Sequence, residues 1–260
     1  MCWLRSLWMM SLLAILVACG GAEPAAEDAS GNSDPPAAAE PLPAEPPPEE
    51  TQPLAEPDPE PEPTPVVLPP LLNPAHPDAN AAAPAEYRVV LDTTKGEMVL
   101  QVHRDWAPLG ADRFYNLVRV GFFTDVRFFR VVDSFVAQFG MNGDPEVNAA
   151  WDAAEMPDDP SIGETNSRGR ITFAHAGPGT RTTQLFLSIG NNAFLDRQGF
   201  PPFGEIVEGL GVLDSLHNGY GDGPPSGAGP DQGRIGAQGN RYLERDFPRL
   251  DYVRRARLLE

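Results

Sequence analysis

The stretch Arg127-Phe-Phe-Arg-Val-Val-Asp-Ser-Phe-Val-Ala-Gln-Phe-Gly140 has the alternation of two short β-strands, and it places Arg130 and Gln138 among aromatic and aliphatic side chains. A second stretch, Gly169–Leu187, has the same character and contributes Gln184. Strands of this kind, apolar apart from a few polar side chains, are typical of a binding groove with fixed hydrogen-bonding groups. The two stretches therefore predict one apolar groove that is shared between them.

The ligand that we expect in such a groove is a proline-containing peptide. Rotation about a peptide bond faces a barrier of roughly 18 to 20 kcal/mol, and an X-Pro bond isomerises over roughly tens to hundreds of seconds unaided. In the twisted transition state the prolyl nitrogen loses its conjugation and becomes a better hydrogen-bond acceptor. A fixed guanidinium such as that of Arg130 would then stabilise the transition state more than the planar ground state.

Three ordered motifs carry a resemblance to a known family. The run Phe128-Phe-Arg-Val-Val-Asp-Ser-Phe-Val-Ala-Gln138 resembles the cyclophilin motif Phe-His-Arg-x-Ile-x-Gly-Phe-Met-x-Gln. Phe173-Ala-His-Ala-Gly-Pro, followed by Gln184-Leu-Phe, resembles the family's Met-Ala-Asn-Ala-Gly-Pro and Gln-Phe-Phe. A third block, Asn192-Ala-Phe-Leu-Asp and then Phe203-Gly-Glu-Ile-Val-Glu-Gly, is similar to its Trp-Leu-Asp and Phe-Gly-x-Val segment. The similarity covers about residues 87–220 and identifies the chain as a cyclophilin-type peptidyl-prolyl isomerase.

The resemblance implies site residues one by one. Catalysis is assigned to Arg130 and Gln138, and Gln184 is assigned to the substrate backbone. Pairing with an extended substrate, in the manner of an added strand, is assigned to the backbone of Ala174, His175 and Ala176. The proline pocket and its surroundings are assigned to Phe135, Val136, Phe186, Phe194, Leu195 and Phe200.

Each assignment has a structural alternative. Arg130 could belong to an ion pair that only stabilises the fold, and the pocket residues could be ordinary core. The sequence also departs from the family motif, because Val136 stands in place of Met, Phe129 in place of His and Phe200 in place of the pocket His. These changes keep the pocket apolar but could narrow it. A binding module that captures proline segments with little turnover therefore remains the alternative to an enzyme. A hydrolase with a Ser-His-Asp triad is not favoured, because the sequence has no nucleophile motif of that class.

Regular elements are predicted around these motifs. Short strands, many turns and helices over Ala111–Val120 and Glu208–His217 favour a mostly-β fold. Together with the resemblance, they imply a closed eight-stranded antiparallel barrel capped by two helices and preceded by a disordered tether. Met141–Arg168 is predicted to be a polar loop, whose carboxylates lack the regular spacing of metal ligands. The tail beyond Gly219 extends past a minimal cyclophilin domain and has no predicted role.

The first 19 residues predict export and lipidation. One positive charge, Arg5, precedes a short apolar run that is typical of a signal peptide and too short to span a bilayer. The run ends in Leu16-Val17-Ala18-Cys19, which resembles the bacterial lipobox. We therefore expect a signal peptide over residues 1–18 and lipidation of Cys19, which would anchor the chain stably to a membrane. An ordinary signal peptide followed by a free cysteine is the alternative.

Residues 20–86 have the composition of a linker. They contain 19 of the chain's 30 prolines, 14 acidic residues and no Lys or Arg. A segment without apolar periodicity cannot bury enough surface to fold, so residues 19–86 are predicted to be a disordered tether and residues 87–260 the isomerase domain. A proline-rich ligand for some partner is the alternative role for the linker.

Charge and composition limit the partners. The chain has a formal net charge of −18, so it lacks the basic surface expected of a nucleic-acid binder. No cofactor and no metal are expected. The predicted partners are proline-containing polypeptides and, through Cys19, a membrane, with the chain acting as a monomer. The predicted location is the cell envelope, on the periplasmic face of the outer membrane if the cell is Gram-negative.

Overall fold

The structure, a computed structural model, describes residues 69–259. The predicted signal peptide, Cys19 and the linker up to residue 68 lie outside the described residues. Between residues 69 and 259, no helix is both long enough and apolar enough to span a bilayer.

One curled antiparallel sheet forms the body of the fold, in the strand order β3-β9-β1-β2-β8-β6-β7-β5-β4. The two outermost strands, β3 and β4, are not paired with each other, so the sheet has nine strands and stays open. The prediction of a closed eight-stranded barrel was wrong in both respects. The strands are β1 (Glu86–Thr93), β2 (Gly96–His103), β3 (Val126–Arg127), β4 (Arg130–Val131), β5 (Val136–Phe139), β6 (Arg170–Phe173), β7 (Leu185–Ser188), β8 (Pro202–Glu208) and β9 (Tyr252–Leu259).

Five α-helices lie within residues 69–259, rather than the two that were predicted. They are α1 (Pro108–Arg119), α2 (Pro145–Asp152), α3 (Val212–Ser215), α4 (Gln232–Gln238) and α5 (Asn240–Asp246). The predicted helix over residues 208–217 is shorter than expected, because Glu208 still pairs with Val99 of β2 as part of β8.

Helix α2 lies inside the segment that was predicted to be a polar loop. Its signals are present in the sequence: the Asp144 side chain caps the helix by accepting a hydrogen bond from the Glu146 amide at 2.8 Å, and a proline occupies the first turn. Val147 and Trp151 lie one helical turn apart and are both buried. The acid-rich composition of the surrounding segment concealed this short amphipathic helix.

Helix α1 begins at Pro108, earlier than predicted, because a distant carboxylate completes its first turn. The side chain of Asp159 accepts hydrogen bonds from the amides of Leu109 and Gly110 at 2.8 and 2.9 Å. Asp159 is itself paired with Arg181, Oδ2 to Nη1 at 3.0 Å, and both side chains are almost fully buried. This buried pair ties the start of the helix to the segment that leads into β7.

The folded chain begins before the predicted boundary at residue 87. Short 3-10 helices span Pro70–Leu72 and Pro77–Ala79. The Trp151 indole donates to the Leu71 carbonyl at 2.8 Å, and the Asn116 amide donates to the Ala81 carbonyl at 2.7 Å. Residues 69–86 therefore belong to the ordered domain, and assigning them to a disordered linker was wrong.

The chain beyond Gly219 builds a second, smaller apolar cluster beside the main core. Helices α4 and α5 supply three of its buried side chains, and an aromatic residue between β3 and β4 joins them. The members of the cluster are Phe129, Met141, Ile235, Tyr242, Leu243 and Leu250. The tail is thus an integral part of the domain, and it ends in β9, which pairs with β1 and β3.

Candidate active site

The register of strands β4, β5 and β7 separates a site face from a core face. Arg130 lies opposite Gln138, and Gln138 lies opposite Phe186, so these three side chains share one face of the sheet. Val136 is two residues from Gln138 and joins that face. The intervening residues point the other way, into the main core: Val131, Ala137, Phe139, Leu185 and Leu187.

A row of hydrogen bonds connects the polar groups on the site face. Arg130 Nη1 donates to Gln138 Oε1 at 3.2 Å, and Gln138 Nε2 donates to Gln184 Oε1 at 2.9 Å. Gln184 Nε2 then donates to Gln232 Oε1 at 3.2 Å. Because a guanidinium can only donate, it sets the direction of every amide after it. We call these four side chains the polar row.

Arg130 lies at the border between this row and an aromatic surface. Its side chain is 22% exposed, and its Nε donates to a carboxylate oxygen of Asp222. The guanidinium carbon lies 5.3 Å from the centre of the Phe135 ring, within the range of a cation–π contact. Its Nη2 has no hydrogen-bond partner among residues 69–259. The guanidinium is therefore held through Nε and Nη1 and retains the Nη2 donors for a ligand.

An apolar pocket adjoins the polar row. The buried side chains of Val136, Phe186 and Leu195 form a cluster separate from the main core, and Phe135, Ala174 and Phe200 pack against it. All six were predicted as site residues, and the structure brings them together. This apolar cluster lies beside the Arg130 guanidinium, which contacts Phe135, and such a pairing is what a site for a proline ring requires.

Two aromatic stacks border the apolar pocket. Phe194 is 56% exposed and stacks on Phe135 with ring centroids 5.9 Å apart. Phe200 stacks against the imidazole of His175 at 4.0 Å and meets Phe186 edge-on at 5.9 Å. Phe200 therefore packs against the apolar pocket, whereas Phe194 lies at the rim, where a ligand can reach it.

The segment Ala174–Ala176 offers less free backbone than predicted. The Ala174 amide donates to the Gln184 carbonyl, and the Ala176 amide donates to Thr180 Oγ1, both at 2.9 Å. Only the His175 amide, of the three, has no partner among the described residues. The His175 ring accepts from the Gly177 amide through Nδ1, and its Nε2 lies 3.1 Å from the Gly199 carbonyl. The ring is thus engaged structurally, with its proton on Nε2.

Asp196 holds the loop that carries Phe194, Leu195 and Phe200. It accepts hydrogen bonds from the hydroxyl of Thr165 and, at 2.9 Å, from the amide of Asn166. Asn166 Nδ2 also donates to the Phe200 carbonyl at 2.8 Å. Burial opposes ionisation of Asp196, but these hydrogen bonds outweigh it and lower its pKa.

A groove of about 470 Å³ opens beside the polar row. It is lined by Gln138, Asp152, Glu155, Ala174, His175, Ala176, Thr180, Thr182, Gln184 and Gln232. Asp152 and Glu155 make one side of the groove acidic.

Sequence reasoning missed several residues of the site. Asp222 accepts a hydrogen bond from Arg130, and Gln232 is the last member of the polar row; both lie in the tail beyond Gly219, for which the sequence predicted no role. Asp196 and Asn166 do not line the pocket; they hold the loop that carries Phe194, Leu195 and Phe200. Their one sequence signal is the Leu195-Asp196 pair inside the third family-like block, which drew attention to the aromatic residues rather than to the carboxylate.

The comparison with protein families agrees with this geometry. The family model for cyclophilin type peptidyl-prolyl cis-trans isomerase/CLD matches residues 88–231, more than half of the chain. The chain belongs to the cyclophilin family. Its activity is that of a cyclophilin-type peptidyl-prolyl cis-trans isomerase, in agreement with the resemblance seen in the sequence.

Relatives of this cyclophilin include bacterial enzymes. A peptidyl-prolyl cis-trans isomerase of Acinetobacter baylyi is 29% identical over 157 residues, which cover 58% of this chain and 80% of the relative. One from Helicobacter pylori is 33% identical over 136 residues, covering 50% of this chain and 80% of the relative. Among solved structures, a cyclophilin type isomerase of Cryptosporidium parvum aligns with 67% of this chain and 98% of its own at a TM-score of 0.50. At 16% identity, that likeness concerns the fold alone.

Proposed function

We propose that this cyclophilin isomerises X-Pro bonds where Arg130 borders the apolar pocket, and that it assists the folding of proteins of the cell envelope, to which lipidated Cys19 would anchor it. The observation that carries the first part is the Arg130–Gln138 hydrogen bond at the edge of the apolar pocket. That arrangement places a donor-only cation beside a site suited to a proline ring.

Arg130 would act on the prolyl nitrogen. Once the peptide bond twists, that nitrogen has a free lone pair, and a hydrogen bond from the guanidinium favours the twisted form over the planar one. One charge-assisted hydrogen bond contributes about 1.5 to 3 kcal/mol. Raising a rate of roughly 0.01 per second to about a thousand per second needs about 7 kcal/mol, since each 1.36 kcal/mol is tenfold. Arg130 alone is therefore insufficient.

The remaining stabilisation would come from holding both sides of the rotating bond. The apolar pocket would hold the ring, with Phe135 and Phe194 above it. The residue before proline would lie along Ala174–Ala176 and receive a hydrogen bond from the free His175 amide, as an added strand does. With the two ends held, rotation moves only the atoms between them.

Exchange spectroscopy tests the catalytic part. NMR exchange of a short Ala-Pro peptide would be measured with the full-length protein and with its Arg130→Ala variant. We expect rapid cis-trans exchange with the first and catalysis about 10 to 150 times slower with the second, which corresponds to losing the roughly 1.5 to 3 kcal/mol of one charge-assisted hydrogen bond. A folded protein that binds the peptide without accelerating exchange would instead indicate a capture module.

Lipidation needs its own test, because Cys19 lies outside the described residues. The proposal rests on the sequence Leu16-Val17-Ala18-Cys19. Metabolic labelling with an alkyne fatty acid in a bacterial host should mark the wild-type chain and leave the Cys19→Ser variant unlabelled and released from the membrane fraction. Equal membrane association of both forms would contradict the anchor.

A further inference from the structure

The loop formed by residues 220–233 connects two parts of the candidate site that lie at opposite ends of the polar row. Near its start, Asp222 receives the hydrogen bond from Arg130 Nε. Near its end, Gln232 accepts from Gln184 at 3.2 Å. Both ends of the polar row are therefore held by this one segment, which includes the first two residues of α4 and is here called the 220–233 loop.

We propose that Asp222 is a positioning residue for catalysis, which orients the Arg130 guanidinium without touching the substrate. The inference rests on the proposed role of Arg130. Two of the three guanidinium nitrogens have a partner, Nε in Asp222 and Nη1 in Gln138. Because the guanidinium is planar and rigid, two such contacts fix its plane and leave Nη2 for the ligand.

The backbone places Asp222 beside Arg130 independently of their ion pair. Gly221 forms an isolated antiparallel bridge with Val131, the residue that follows Arg130 in β4. Gly221 has a φ of +59°, a left-handed conformation that favours glycine. The loop is therefore attached to β4 at the position next to the arginine, and Asp222 follows immediately.

The glycines of the loop allow it to fold back tightly behind Asp222. The Gly229 amide donates to the Asp222 carbonyl at 2.8 Å. A Cβ at Gly227 would lie 2.2 Å from that same carbonyl oxygen, and one at Gly223 would lie 2.4 Å from the Pro230 carbonyl oxygen. The glycine-rich composition thus builds a compact loop around Asp222, and the segment is not a spacer.

Arg130, Asp222 and other residues of the loop line a cleft of about 420 Å³, so the ion pair is reachable by water. The side chains of Arg130 and Asp222 are 22% and 34% exposed. At this exposure a carboxylate contributes little to stability. It could act on catalysis in two opposite ways, by orienting the guanidinium or by damping its positive potential. Orientation dominates in our proposal, because a hydrogen bond to the prolyl nitrogen depends steeply on direction.

The experiment compares Asp222→Ala with Asp222→Asn in the full-length protein, using peptide exchange at several substrate concentrations. We expect Asp222→Ala to lower kcat about tenfold with little change in KM, because the side chain does not touch the substrate. Asp222→Asn keeps an acceptor for Nε and should restore kcat to within about threefold of wild type. Ser226→Ala is the matched control in the same loop: Ser226 is exposed and makes no hydrogen bond to Arg130, so this variant should behave as wild type.

A spectroscopic readout accompanies the kinetics. The Arg130 Nε–H resonance should be protected from solvent exchange in the wild type and in Asp222→Asn, and lose that protection in Asp222→Ala. If Asp222→Ala does not fold, the proposal is tested by the kcat of Asp222→Asn and by the solvent protection of its Arg130 Nε–H resonance. An Asn or Ala variant faster than wild type, or an Asn variant as slow as Ala, overturns the proposal.

Failure of this inference is distinguishable from failure of the proposed function. If the wild type does not accelerate exchange, or Arg130→Ala remains fully active, the role of Arg130 is wrong and Asp222 has nothing to position. If Arg130→Ala is inactive while Asp222→Ala is unchanged in kcat, only the role of Asp222 is wrong.

Discussion

Gln138 and Phe139 are neighbours in strand β5, yet they belong to different parts of the molecule. Gln138 joins the polar row, whereas Phe139 is fully buried in the core, with its ring centroid 5.1 Å from that of Phe128. Successive side chains of a strand point to opposite faces, so one strand serves both purposes. The comparison shows that the face proposed for catalysis and the face that packs in the core are separated by a single residue step, and mutations can test that separation.

The largest effect should come from the core face. Phe139→Ala removes an aromatic side chain from a tightly packed interior and should lower the free energy of unfolding by about 3 to 5 kcal/mol. Chemical denaturation would measure this. Molecules that remain folded should keep their kcat, since the site face is untouched. A large loss of kcat per folded molecule would show that the two faces are coupled.

The corresponding change on the site face is Gln138→Leu. It interrupts the polar row and frees Arg130 Nη1, so kcat should fall about tenfold, while the free energy of unfolding should change by only about 1 kcal/mol. Gln101→Leu is the matched control, because Gln101 is a strand residue far from the polar row that bonds to Arg88 at 2.8 Å. Equal losses of kcat in the two variants would show that Gln138 has no specific role in catalysis.

The pH dependence of stability probes the loop that supports the pocket. The pKa of Asp196 in the folded state lies below its ordinary value of 3.8. Its contribution to stability is therefore complete above about pH 3.8 and is lost as the pH falls through the lower, folded value. Asp196→Asn should show a shallower fall in unfolding free energy in that acidic range. Identical slopes for both proteins would mean that the hydrogen bonds from Thr165 and Asn166 do not favour ionisation.

The smallest effect is expected at the rim. Phe194→Ala removes an exposed ring that stacks on Phe135, so stability should change by less than about 0.5 kcal/mol. KM for a prolyl peptide should rise about threefold, equivalent to about 0.6 kcal/mol, because the bound peptide would lose its contact with this exposed ring. Leu109→Ala, an exposed apolar residue on α1, is the control and should leave KM unchanged. A KM unaffected by Phe194→Ala would exclude the rim from substrate binding.

Much of the candidate site was predictable because its residues lie on strands. The alternation around Arg130, Val136 and Gln138 is a local property, and the family resemblance added the facing residues Gln184 and Phe186. The structure gathers these residues on one face. Their roles in catalysis and binding stay predictions until the variants are measured.

The errors have physical causes of a different kind. The sheet does not close because β3 and β4 are only two residues long and lie at its two outer ends. Helix α1 starts at Pro108 because Asp159, far along the chain, supplies the acceptors for its first amides. Neither the pairing of end strands nor a distant cap has a periodic signal in the sequence.

The sequence by itself determined the strand pattern, the apolar pocket residues, the arginine beside them and the family, because side-chain alternation and ordered motifs are local. Only the tertiary structure decided that the sheet stays open, that residues 69–86 belong to the domain, and that Asp222 meets Arg130. Those contacts join residues that are far apart in the chain. They form only when turns, bulges and glycines reverse the backbone and bring distant segments together.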